Sequence, residues 1–162
     1  MKNDELVSYY QKYYKTFLLF ALSYTHDIAR AEDLVSNAYL KAIVSYRDGY
    51  FKAWMYKVIR NEFYSSARLD KRVLLQEDEV LNNYKDEENL VENFIIGEKK
   101  QWLYQRILKL PNRQKQIMLL SAFHDVSDDE IANILNLSVE NVRVIKYRTR
   151  KKLMSEYEEA WT

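Results

Sequence analysis

Near the end of the chain, Asn141, Arg143, Lys146, Tyr147, Arg148, Arg150, Lys151 and Lys152 bring cations and hydrogen-bonding groups together at helical spacing. Lysines neutralise phosphates, while the arginine fork and the asparagine amide match base edges in a duplex groove. No residue from Val142 to Met154 is acidic, so the positive field is unbroken. A second set follows the short segment Tyr46 to Tyr50: Phe51, Lys52, Trp54, Lys57, Arg60, Asn61, Tyr64 and Arg68 alternate rings with cations. That alternation suits unpaired bases, which stack on rings while lysine and arginine follow the backbone. The plainer alternatives are a solvated charged face for the first set and core packing for Phe51 and Trp54 in the second.

The elements that must position these groups are helical. Ser127 is placed to cap a short helix, with Glu130 three residues on and Asp128 and Asp129 at its positive end. Ile131, Ile134 and Leu135 share one face of it, and Asn136, tolerant of left-handed backbone, fits the turn that follows. Ser138 then caps a helix whose inward stripe is Val142, Ile145, Thr149 and Leu153. A capped short helix, a tight turn and a basic second helix form a helix-turn-helix, a duplex-reading device. Toward the other end, Leu6 to Thr25 carries apolar and aromatic residues at helical spacing, Tyr9, Tyr13, Phe17, Phe20 and Tyr24 among them, and reads as core. Asp27 opens a second helix that turns Ala31, Leu34, Val35, Ala38, Ala42 and Ile43 inward and leaves Glu32, Asp33, Asn37 and Tyr39 for solvent or a partner.

Composition sets the class. With 162 residues, 48% hydrophobic content, two Gly and one Pro, the chain has apolar material for one or two small cores and few breakers, which predicts an all-α fold. It has no cysteine, which excludes disulfides and thiolate metal sites, and its two isolated histidines, His26 and His124, do not compose an imidazole site. No metal or cofactor is expected. The longest apolar run, Phe17 to Leu22, is too short to span a bilayer, and the Asp4-Glu5 start does not resemble a secretory signal, so a cytoplasmic protein without membrane insertion is expected.

The formal net charge of +1 conceals opposed segments. Between Gln76 and Glu92, seven acids face the single Lys85, whereas Lys52 to Arg72 and Arg143 to Lys152 are basic. This predicts two small helical domains, 1–72 and 97–162, joined by an acidic flexible linker over 73–96.

Three blocks together resemble an extracytoplasmic-function sigma factor of bacterial RNA polymerase: Ala31-Glu32-Asp33-Leu34-Val35 with Tyr39-Leu40-Lys41-Ala42; Phe51 to Asn61; and Leu110-Pro111-Asn112-Arg113-Gln114 running through the helix-turn-helix to Leu153. The resemblance implies a promoter-specificity subunit without catalytic chemistry, built from sigma region 2 and sigma region 4. Glu32, Asp33, Leu34, Asn37, Tyr39 and Leu40 would dock on the clamp helices of the largest polymerase subunit, and the flap would be a further polymerase contact. Tyr46, Tyr50, Phe51, Lys52, Lys57, Arg60, Asn61, Tyr64 and Arg68 would open and read the minus-ten element as single strand. Arg113, Gln114, Ser138, Asn141, Arg143, Val144, Lys146, Tyr147, Arg150 and Lys151 would hold the minus-thirty-five duplex. The linker would thread toward the RNA exit channel, and an anti-sigma factor is a further possible partner. Ser36-Asn37 stands where the pattern has Gln followed by an acid. Ile145-Lys146 stands where a basic residue is commonly followed by Leu, which swaps inward and outward character by one position.

Competing classes fit less of the chain. A ligand-controlled regulator with the same helix-turn-helix calls for a strand-containing sensor half, a nucleic-acid enzyme calls for convergent carboxylates or histidines, and a helical adaptor leaves both basic segments unexplained. Two small modules on a tether orient independently until a third body fixes their separation. The isolated chain should therefore bind promoter duplex poorly in a mobility-shift assay; a specific nanomolar shift without polymerase would contradict the reading.

Overall fold

In the protein's structure, a computed structural model that describes residues 3–69 and 87–161 (side chains of 3 and 67–69 excepted), the apolar run Phe17 to Leu22 lies in α1 (Asn3–Thr25) with every side chain buried. The corner after it is tight, with His26 at φ 52°. Asp27 then caps α2 (Ile28–Ser45), its carboxylate accepting from the Arg30 amide at 3.3 Å. After the loop 46–50 comes α3 (Phe51–Leu69), and the three helices pack on one another. Their shared core is aromatic: Phe17 meets Phe51 and Tyr56 edge-on, and Phe20 stacks on Tyr56 at 4.7 Å. Such pairs add about 0.5–1.5 kcal/mol each beyond their buried area.

The stretch expected to be a flexible acidic tether is partly folded. Residues 87–94 form a short helix, α4, in which Glu87 and Val91 are buried. Glu87 is held by the His26 ring, whose Nδ1 lies 3.0 Å from one carboxylate oxygen and 3.1 Å from the other. A buried carboxylate without a partner costs several kcal/mol, so the imidazole is what makes this helix compatible with its place against the corner. The chain divides into compact units at Met1–Phe94 and Ile95–Thr162, which assigns α4 to the first. Residues 73–86 of the expected linker lie outside the described residues.

The second unit begins with α5 (Glu98–Leu108), entered through Gly97 at φ 107°. Pro111, preset near helical φ and lacking an amide hydrogen, leads into α6 (Asn112–Met118). That helix widens into a π turn, Leu119–Phe123, closed by the His124 amide on the Leu119 carbonyl at 3.1 Å. Next come α7 (Asp128–Leu135) and α8 (Val139–Trp161). Ile107, Ile117, Leu120, Ile131, Ile134, Val142 and Leu153 supply the core. Every described element is helical, as the scarcity of breakers predicts.

Burial raises the Tyr56 phenol well above the ordinary tyrosine value of 10.0 and does the same at Tyr24, where Tyr64 adds and Arg60 opposes. Both phenols keep their protons in the fold at a pH where the unfolded chain has released them. The unfolded state then binds fewer protons, so stability is whole below pH 10.0 and falls above it. Urea midpoints measured from pH 8 upward should decline past about pH 10, and Tyr56→Phe should flatten the decline.

Candidate polymerase and promoter interfaces

On α2 the buried stripe fixes what the opposite face can offer. Ala31, Leu34, Val35, Ala38 and Ala42 are buried, and Glu32, Asp33 and Asn37 are exposed. Leu34, expected on the polymerase face, points into the core at 8% exposure. Tyr39 is half-buried, its ring stacked on Tyr10 at 3.8 Å. The sequence reading also misassigned Ile43: it is exposed, as are Leu40 and Val44 at 60% and 71%. Asp33, Asn37, Leu40 and Val44 follow at intervals of four, three and four, so a polar start and an apolar end share one outer stripe. Alternation of small and large apolar residues along α2 hid this, because Ala42 suffices for the inward position.

The loop after α2 is pinned by its own rings. Tyr46 is buried edge-on to Phe51 at 5.3 Å and to Trp54 at 5.6 Å, and its hydroxyl donates to the Gly49 carbonyl. Gly49 sits at φ 99°, a conformation that a side chain would strain. Phe51, 4% exposed, also meets Tyr9 and Phe17. Lys52 is buried too, its ammonium 5.3 Å from the Tyr13 ring and 5.9 Å from that of Tyr56. Tyr46, Phe51 and Lys52, expected at the single strand, are therefore packing residues here. Tyr50 is 46% exposed and Asn61 exposed, while Lys57, Arg60 and Tyr64 are half-buried. Arg60 lies over the Tyr64 ring at 4.8 Å, and the Arg68 side chain is outside the described ones. Tyr9, assigned to the core from periodicity, is 41% exposed beside this loop.

The helix-turn-helix is built from its caps. Ser127 Oγ accepts from the Glu130 amide at 3.3 Å and Ser138 Oγ from the Asn141 amide at 3.1 Å. Asn136 closes α7 in the left-handed conformation, φ 55°, as its side chain permits. Val142, Thr149 and Leu153 are buried and Ile145 is half-buried, so α8 keeps the inward stripe read from the sequence. Outward stand Asn141, Arg143, Val144, Tyr147, Arg150 and Lys151, with Lys151 over the Tyr147 ring at 4.9 Å. Lys146 departs from expectation: it is half-buried and donates to the Asp128 carboxylate at 2.9 Å. At the swapped pair Ile145-Lys146 both side chains are thus half-buried, and the lysine charge is met by an acid. Arg113 is exposed and Gln114 half-buried on α6. Sequence reasoning missed a groove of about 470 Å³ between α5, the π turn and α8, floored by Trp102, Leu103, Met118 and Leu153 and lined also by Lys99 and Arg150.

Comparison with known proteins agrees with this layout. The family model for sigma-70 region 2 matches residues 9–73, and that for sigma-70 region 4 matches residues 100–153. The chain is 27% identical to the RNA polymerase sigma factor YlaC of Bacillus subtilis, over 93% of this chain and 90% of that one. It is 26% identical to the extracytoplasmic-function sigma factor SigM of the same organism, over 97% and 96%. In fold it is similar to CnrH, solved with the cytosolic domain of CnrY, at a TM-score of 0.62 and 19% identity, covering 99% of this chain and 92% of that one. RpoE of Bartonella quintana, solved with the anti-sigma factor NepR, follows at a TM-score of 0.60 and 20% identity, over 93% and 97%.

The chain thus belongs to the sigma-70 family of RNA polymerase sigma factors. Within it, the two-region layout and these relatives make it an extracytoplasmic-function sigma factor: a subunit that binds core RNA polymerase, recognises promoter DNA and helps to melt it. The family comprises non-catalytic initiation factors, and the region 2 match counts against a regulator acting apart from the polymerase. No described helix is long and apolar enough to cross a membrane.

The two faces of the loop should separate in stability measurements. Phe51→Ala should cost about 3–5 kcal/mol in denaturant unfolding, as expected of a buried ring. Tyr50→Ala should stay within about 0.5 kcal/mol. A large loss for Tyr50→Ala would show that the loop is packed differently.

Proposed function

We propose that the outer stripe of α2 docks on the clamp helices of the polymerase, with Leu40, Ile43 and Val44 supplying buried apolar contact and Glu32, Asp33 and Asn37 a polar rim. Such a patch, rimmed by polar residues, is what a protein interface requires. The groove of the second unit takes an apolar helix face of the polymerase flap, its lysines and arginine meeting acids there. A cytoplasmic anti-sigma factor would compete for the same two surfaces. The chain performs no chemistry of its own and acts in the cytoplasm beside the polymerase.

At the minus-ten element, Tyr50 stacks on a base taken out of the duplex, Asn61 pairs with the base edge that melting exposes, and Lys57 neutralises a neighbouring phosphate. Stacking of this kind contributes about 1–3 kcal/mol per base, enough to offset unstacking. Tyr46, Phe51 and Lys52 act from beneath, holding the loop so that Tyr50 is presented. Arg60, seated on Tyr64, braces α3. At the minus-thirty-five element Arg143 reaches base edges from the first turns of α8, with Asn141, Val144 and Tyr147 beside it. Arg150, Lys151 and Arg113 hold phosphates, with Gln114 close by and Ser138 acting as the cap that sets the helix. The acidic residues 73–86 lead toward the RNA exit channel. One observation carries the reading: packing leaves Tyr50 and Asn61 exposed at and along α3, and Asn141, Arg143, Tyr147, Arg150 and Lys151 exposed on α8, residue types that suit single-stranded and duplex DNA respectively.

Two results should follow. Tyr50→Ala with Asn61→Ala should leave polymerase binding unchanged and lower open-complex formation on duplex promoters, with a template pre-melted at minus ten restoring initiation only in part. Native opening and sequence preference in that variant would remove the site from this loop. In reconstituted holoenzyme, Arg143→Ala should cost about 1–3 kcal/mol and relax preference at one base pair, whereas Lys151→Ala should weaken all promoters alike and flatten the salt dependence. Equal, sequence-independent losses would contradict the docking of α8.

A further inference from the structure

Asp128 stands in the first turn of α7, and its carboxylate reaches across to two cations of α8. Oδ1 accepts from Lys146 Nζ at 2.9 Å, and Oδ2 lies 3.7 Å from Arg143 Nε. Asp128 and Lys146 are partly withdrawn from water, with side chains 25% and 21% exposed, whereas that of Arg143 is 62% exposed. Attraction between partly buried charges is screened less than at the open surface, so the lysine is the firmly held partner and the arginine the loosely held one. Asp128 also lies at the N-terminal, positive end of the α7 dipole. These contacts place Asp128 among the cations of α8.

We propose that Asp128 is a positioning and specificity-determining residue for minus-thirty-five recognition. It takes Lys146 out of the phosphate-binding field and steadies the Arg143 fork toward base edges, so that affinity depends on the base pair met by Arg143 and less on charge alone. Lys146 is then a structural cation. An indifferent phosphate contact that strengthens all sequences equally adds nothing to discrimination, and sequestering it raises the share of binding that is sequence-dependent. This inference rests on the reading of α8 as the duplex-reading helix.

The test uses holoenzyme reconstituted with the full chain and a promoter library randomised over the minus-thirty-five element, read by sequencing of transcripts, with binding to the best promoter followed over a range of salt. Asp128→Asn keeps the shape and removes the charge. It should relax preference at the base pair that Arg143→Ala relaxes, by about threefold to tenfold, and the double variant should discriminate no worse than Arg143→Ala alone. It should also steepen the salt dependence by about one phosphate contact, because Lys146 is released. Asp128→Glu should restore part of the preference. Lys146→Met keeps the test open should Asp128→Asn fold poorly: its salt slope should match the parent's. The proposal is overturned if Asp128→Asn leaves both preference and slope unchanged, if its loss adds to that of Arg143→Ala, or if Lys146→Met flattens the slope by one contact. If Arg143→Ala itself changes no preference, the docking of α8 is wrong and the inference falls with it; if only Asp128→Asn is silent, the inference alone fails.

Discussion

Burial of Phe51 between α1 and the loop before α3 is the constraint on which the arrangement of the first unit's loop depends. Its ring meets Tyr9, Phe17 and Tyr46, so the first residue of α3 is anchored in the core at 4% exposure. Once it is seated, chain geometry decides the rest. The residue before it, Tyr50, projects outward, and α3 turns Asn61 to the surface while Met55, Tyr56 and Ile59 stay inside. The proposed presentation of an aromatic ring to an unpaired base requires that the loop have a rigid support. Here the support is other aromatic rings, a hydroxyl on the Gly49 carbonyl, and a lysine laid over Tyr13 and Tyr56. Cation–π contact of a desolvated lysine contributes about 2 kcal/mol, which helps Lys52 stay buried.

The second unit solves the same problem with caps and a carboxylate. Ser127 and Asn136 fix where α7 begins and ends, Ser138 fixes where α8 begins, and Val142, Thr149 and Leu153 fix the rotation of α8 about its axis. Lys146 is partly withdrawn from solvent beside that stripe, and Asp128 meets its charge. In both units a cation that reads as a nucleic-acid contact is partly withdrawn from the surface, Lys52 by rings and Lys146 by an acid. Net positive charge along a helix is therefore a poor guide to which cations are fully exposed.

Much of this was legible in the sequence. Periodicity and the scarcity of Gly and Pro gave the helices, and Ser127, Asn136, Ser138 and Asp27 gave the caps, because those residue types act locally on the backbone they belong to. What stayed illegible depends on contacts distant along the chain. Tyr46, Phe51 and Lys52 share residue types with true base-stacking sets, and only the neighbouring rings of α1 decide that they face inward. Ile43 looks like core until the small Ala42 is seen to fill the inward place. The short helix 87–94 was hidden by its acids, since nothing near it in sequence announces that His26, sixty-one residues away, will receive Glu87.

Packing is proposed to turn two separate surfaces toward two forms of DNA. The direct test is site-specific photo-crosslinking in the open complex, with a photoreactive side chain placed at Tyr50 or Asn61 and, separately, at Arg143 or Tyr147. The first pair should label the single-stranded minus-ten region and the second the minus-thirty-five duplex. Labels exchanged between the regions, or confined to polymerase, would contradict it.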